Sequence, residues 1–185
     1  MSGGRGPLDT ARIVADRWIR EERFRWLIYH TNVTHYALLL LADASGEERY
    51  ARHVRDAHAW YVREKRAELE SPDFHMHTFG IALAELLARG EGDELESLCV
   101  LQLRALRERQ PRAPDGAFTF RDKDVVFVDS LAGTVPFLAR AGELFGERWC
   151  FDEACRQLAV VGARLRDEAT GLYVQGEGFS VFPDW

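Results

Sequence analysis

One pattern occurs three times along the chain: a strongly apolar stretch, a glycine turn followed by acidic residues, and a stretch mixing apolar and charged residues at helical spacing. The three copies are LLLLADASGEERYARHVRDAHAWY, AELLARGEGDELESLCVLQLRAL and PFLARAGELFGERWCFDEACRQLAVV, with turn glycines Gly46, Gly92 and Gly146. Self-similarity at this period marks helix pairs that bury their apolar faces only by stacking on neighbours. The more apolar helix of each pair belongs inside and the charged one outside, because only an inner helix is covered on most sides. The expected class is all-α, built of stacked αα-hairpins. An α-solenoid and an α/α toroid both satisfy the pattern, as does a repeat scaffold that binds other proteins.

Periodicity predicts helices over 9–26, 33–44, 47–69, 74–89, 93–109, 129–145 and 148–167. Asp9 or Thr10 is the expected N-cap of the first. In the third, Tyr50, Val54, Ala57 and Tyr61 share one face. Strand signals are confined to GAFTF (116–120) and GLYVQG (171–176). Residues 1–8 read as a flexible N-terminus and 9–185 as one helical domain, with 46% hydrophobic residues to supply its core.

The net charge of −6, with arginines scattered among carboxylates, lacks the basic patch of a nucleic-acid-binding protein. YALLLLA (36–42) is far too short to cross a bilayer, and MSGGRGPLDTARIV has no apolar signal core. No nucleic-acid or membrane partner is expected, and the cytoplasm is the expected compartment. Cys99, Cys150 and Cys155 have no second cysteine pair or nearby histidine to form a zinc site, so they read as small hydrophobes in a reducing compartment. Asn32-Val33-Thr34 matches a glycosylation acceptor, read as accidental without a secretory signal.

Chemistry could sit in VVFVDSLAGTVPFLARAG (125–142), where Asp129 interrupts a run of apolar and small residues. An ionised aspartate in such company costs several kcal/mol unless compensated. As an N-cap it would accept N–H bonds from the first turn, and Ser130 offers the same service. Alternatively, it lines a pocket among inner-helix N-termini, where apolar walls would favour its protonated form and let it donate a proton.

The stretch VFVDSLAGTVPFLARAGELFGERWCFDEACRQLAVVGARLRDEATGLYVQG resembles the central region of the unsaturated glucuronyl and rhamnogalacturonyl hydrolases, glycoside hydrolase families 88 and 105. Asp129, Pro136-Phe137-Leu138-Ala139-Arg140 and Thr170-Gly171-Leu172-Tyr173 stand where those families place an Asp, a PFLAR helix end and a TGLY segment. HYALLLLADASGEERYARHVRDAHAWYV (35–62) is similar to the first inner and outer helices, and RAPDGAFTF to a later turn. The resemblance spans residues 15 to 176 and implies an (α/α)6 barrel. It implies hydration of the C4=C5 double bond of a 4,5-unsaturated uronic acid at the non-reducing end of an oligosaccharide, without metal or nucleotide cofactor. Asp129 would then be the proton donor, with Gln175, His77, Thr78 and Trp26 against the substrate. Trp26 and Phe79 could form sugar-stacking walls, although core packing is the more common role of aromatics at helical spacing.

The chain departs from the family pattern in three places. FHMHTFGIALAEL (74–86) carries His75, Met76, His77 and Thr78 where a second Asp usually precedes a glycine; Asp73 is nearby, and either histidine could shuttle a proton. Gln175 replaces a histidine. The family domain needs about twelve helices and this sequence supplies about seven. The implied partners are an oligosaccharide and either a second copy of the chain or a missing C-terminal half. The alternative is a catalytically inactive homologue serving as a carbohydrate-binding or protein-interaction module.

Overall fold

The computed structural model describes residues 6–25, 29–69, 80–91, 93–120 and 124–178. Its helices are α1 (Pro7–Arg20), α2 (Tyr29–Ser45), α3 (Glu48–Glu64), the single turn α4 (Arg66–Leu69), α5 (Gly80–Ala88), α6 (Asp93–Glu108), α7 (Asp129–Phe145) and α8 (Arg148–Leu165). Two short strands, β1 (Val126–Phe127) and β2 (Gly176–Glu177), pair antiparallel, Val126 opposite Glu177 and Phe127 opposite Gly176. Among the described residues no helix is long and apolar enough to cross a membrane.

The expected αα-hairpins are α2/α3, α5/α6 and α7/α8. Gly46 and Gly146 take φ of +70° and +66°, the left-handed conformation that ends a helix with least strain in glycine. The Gly46 N–H donates to the Ala42 carbonyl at 2.8 Å, and the Glu147 N–H to the Gly142 carbonyl at 3.0 Å, satisfying carbonyls that the helix ends leave open. In the middle hairpin this role falls to Gly90, at φ +82°, whereas Gly92 lies outside the described residues. The first helix starts at Pro7, whose fixed φ suits a first helical position. Gly6 is its N-cap, and Asp9 reaches back to accept the Gly6 N–H at 3.2 Å; the expected caps, Asp9 and Thr10, lie within the helix. It stops at Arg20, short of the expected 26, because Glu22 turns to φ +49° and leads into a 3-10 turn, Arg23–Arg25. The third helix breaks at Lys65.

α2, α5 and α7 form the inner layer, α3, α6 and α8 the outer, and α1 packs on α2. Leu38, Leu39, Leu83, Leu86, Phe137 and Leu138 of the inner layer meet Tyr50, Val54, Tyr61, Leu98 and Cys150 of the outer. All four residues of the face predicted for α3 are buried. Central α5 has no exposed side chain, whereas α2 exposes Val33, Ala37 and Leu40, and α7 exposes Ala132 and Pro136. α5 lies against α7 because its first residue has no side chain: a Cβ on Gly80 would stand 2.4 Å from Cβ of Phe137 and 3.1 Å from the Gly133 carbonyl. Asn32, in the first turn of α2, accepts the Ala82 N–H at 3.3 Å. The first described turn of α5 thus lies beside the first turn of α2 and one to two turns into α7.

GAFTF forms no strand beyond a single bridge between Arg112 and Phe118, and GLYVQG contributes a bridge between Arg166 and Tyr173 before β2 begins. The 110–119 loop is instead fixed to α8. Gln157 accepts the Phe118 N–H at 2.9 Å and donates to the Gly116 carbonyl at 2.9 Å and to Glu153 at 2.7 Å. Arg112 donates to the same Glu153 oxygen at 2.7 Å.

Candidate functional site at the head of α7

Asp129 is the first residue of α7 and half-buried. The N-cap is Val128, already in helical conformation at φ −64° and ψ −34°, and no side chain caps the helix. The reading of Asp129 or Ser130 as a cap is therefore overturned. The Ser130 hydroxyl turns back to donate to the Phe127 carbonyl at 2.6 Å. One Asp129 oxygen, Oδ1, is buried and meets no hydrogen-bond partner. A buried carboxylate oxygen left this way costs free energy, and that cost is recovered only when something donates to it.

The β1/β2 ribbon holds this carboxylate in place. The Val128 N–H donates to the Gln175 carbonyl at 2.8 Å, so the backbone of Gln175 is fixed one residue from Asp129 while its side chain is exposed. The Phe120 N–H donates to the Val125 carbonyl at 2.8 Å, and the Phe120 and Phe127 rings meet edge to face at 5.7 Å. Gly178, at φ +82°, lies so close to the preceding strand that an added Cβ would come 2.2 Å from the Asp124 carbonyl. Arg164 of α8 clamps the ribbon by pairing with Asp115, Asp124 and Glu177. Val128 and Leu131 border an apolar groove of about 240 Å³ shared with Leu158, Val161, Gly162 and Tyr173.

The structure thus brings together two of the residues picked from the sequence, Asp129 and Gln175. Trp26, His77, Thr78 and the neighbouring Asp73, His75, Met76 and Phe79 lie outside the described residues. The described chain resumes at Gly80, against Gly133, one turn into α7 from Asp129. Among the described residues no group of three His, Cys, Asp or Glu side chains is placed to hold a metal.

Asn32 was missed. Its side chain is fully buried, which shuts off the glycosylation motif, and it accepts the Ala82 N–H of α5. The available signal was the one used for Asp129: a polar residue inside a helix of otherwise inner type.

Residues 11–184 match the Glycosyl Hydrolase Family 88 profile. The chain belongs to that family. A family 105 glycoside hydrolase from C. acetobutylicum ATCC 824 superposes with a TM-score of 0.78 at 17% identity, over 95% of this chain and 51% of that one. The family 88 chain therefore has the inner and outer helices of an α/α toroid and spans about half the length of this neighbour. No curated protein matches it.

Proposed function

We propose that the protein acts on oligosaccharides ending in a 4,5-unsaturated uronic acid, with Asp129 as the acid that starts hydration of the double bond. Family membership supports the substrate class. The observation that carries the residue is the buried, unpartnered Oδ1 at the head of an inner helix. In protonated form, Asp129 gives its proton to C4, and water adds at C5. The proton lost by that water returns to the carboxylate. The hemiketal at C5 then opens to a ketone as the ring C5–O bond breaks, leaving a hemiacetal at C1. Its hydroxyl loses a proton to form the aldehyde as the glycosidic C1–O bond breaks, and the neighbouring sugar takes up a proton and leaves as an alcohol. A carboxyl that both gives and takes back a proton serves as general acid and then general base.

Gln175, adjacent through its backbone, supplies an amide that hydrogen-bonds a hydroxyl or carboxylate of the sugar without carrying charge. His77 and Thr78, directly before Gly80, and Trp26, between the 3-10 turn and α2, are assigned to the substrate on the family resemblance. The exposed flanks of α2 and α7 are assigned to a further half ring, from more of the same polypeptide or from a second copy. The exposed Cys155 thiol suits the cytoplasm.

Loss of the ultraviolet absorbance of the conjugated double bond, on a panel of unsaturated uronic disaccharides, tests the reading. The parent should consume at least one member and Asp129→Asn should be slower by about 100-fold or more. Equal rates for the two would remove Asp129 from the chemistry. The stretch 74–86, which carries His75, Met76, His77 and Thr78 in place of the family's second Asp, favours a binding module as the second reading. That reading is established if saturable binding of the same disaccharides occurs with no absorbance loss in the parent.

A further inference from the structure

We propose that α1 and the 3-10 turn after it form an acid-released cover over a buried histidine cluster at the α1/α2/α3 junction. His35 of α2 and His58 of α3 are fully buried, and His53 of α3 is half-buried. The His35 ring lies 5.2 Å from that of His58 and 6.2 Å from that of His53, centroid to centroid. Neither nitrogen of His35 has a hydrogen-bond partner, and neither does Nε2 of His53. Neutral His35 therefore hides one N–H without an acceptor. A charged His35 would be an unpaired cation beside two imidazoles, a far costlier arrangement.

The cover supplies the burial. Trp18 of α1 stands edge to face on His35 at 5.3 Å and on His53 at 5.8 Å. Phe24, in the 3-10 turn, meets His53 at 5.5 Å, and its carbonyl accepts the Tyr61 hydroxyl. Protons reach the cluster through an open cleft of about 460 Å³ between α1 and α3, which His53 lines. Asp16 and Arg20 of α1 line the side opposite His53, and Arg49, Arg52 and Asp56 line its own side on α3. Against His35 stand His53, His58 and Tyr61. α1 is weakly seated: Ala15 is its one fully buried residue, and Ile13 and Val14 are exposed. It is also tied by ion pairs from Arg12 to Glu47 at 2.5 Å and from Arg49 to Asp16 at 2.7 Å. Arg12 holds the Glu47 carboxyl below its usual range, so that tie persists under mild acid while the histidines titrate.

Burial first, then His58 and His53, hold His35 well below the ordinary histidine range; burial lowers His53 also, against Asp56. The open form therefore binds more protons than the closed one, and closure weakens as pH falls through the range of a free imidazole, about 6.5. A fully buried histidine freed by opening multiplies the opening constant by about 10 between pH 7.5 and 5.5. His35, the fully buried ring under Trp18, gives about tenfold, and the half-buried His53 adds to it in the same direction.

The inference does not depend on the proposed reaction. The test is hydrogen–deuterium exchange of the purified chain at pH 7.5 and 5.5, corrected for the intrinsic pH dependence of exchange. The opening constant of α1 should rise at least tenfold in the parent and by clearly less in His35→Phe, which keeps an aromatic ring but cannot titrate. Protection in α7 and α8 should not change. Should His35→Phe fail to fold, His53→Gln removes the other titrating ring and should leave the tenfold rise that His35 supplies. A parent whose α1 opening is independent of pH, or a variant that keeps the full pH response, overturns the proposal.

Discussion

The two flanks of the half ring both bury polar side chains, and they treat them oppositely. At the α7/α8 flank, Gln157 is 1% exposed and Glu153 8%, and the amide and carboxylate share donors and acceptors with Phe118, Gly116 and Arg112. At the α1/α2/α3 flank, His35 is fully buried and neither ring nitrogen is used. Burial alone therefore does not say what a polar group contributes. A satisfied network fixes one arrangement of a loop and a helix. An unsatisfied, titratable group makes the packing around it conditional on its charge state.

The sharpest way to break the comparison is at the junction both flanks share. Gly80→Ala places a methyl 2.4 Å from Cβ of Phe137, and overpacking there should cost about 3 kcal/mol in chemical denaturation, at any pH. Next comes the satisfied flank: Gln157→Leu leaves the Phe118 N–H and the Gly116 carbonyl without partners. It should cost about 2 kcal/mol, again without pH dependence between 7.5 and 5.5. A pH-dependent loss in that variant would erase the contrast. At the other flank the signs differ. His35→Phe should make the chain more stable than the parent at pH 5.5 by about 1.4 kcal/mol relative to the difference at pH 7.5, because the parent's unfolded state takes up one proton more. The smallest effect belongs to the exposed tie between α1 and α3. Arg12→Ala should leave the parent's slope of stability against pH unchanged over the same range, since Glu47 is ionised throughout.

The hairpins were legible because apolar runs and glycine turns repeat. The bounds of α7 coincide with the predicted 129–145, and α8 ends two residues before the predicted limit. Gly90 rather than Gly92 ending α5, and the early end of α1 at Glu22, were not legible, since each depends on one residue's φ. The ribbon was hidden for another reason: a two-residue strand has no period, and its partner lies some fifty residues further along. Asp129 stood out as a carboxylate among apolar residues, yet its surroundings gave no clue that Val128 is the cap. Gln175 was reached through the family resemblance, and its neighbour was revealed by a backbone hydrogen bond that no side-chain pattern encodes. His35 passed unnoticed because one imidazole in an apolar helix looks like any satisfied core histidine; only the neighbouring helices bring the other two rings to it.

The start of α7 at Asp129, with no side chain capping it, has an electrostatic consequence. Each helix carries roughly half a positive charge at its N-terminus, from aligned peptide dipoles. At the head of α7 that positive end lies against the Asp129 carboxylate and offsets part of its charge, in a chain that carries −6 as a whole. The charge that the head of α7 presents is therefore a balance between one side chain and the backbone behind it, and the exposed part of that balance is screened by salt within about 10 Å at 0.1 M ionic strength.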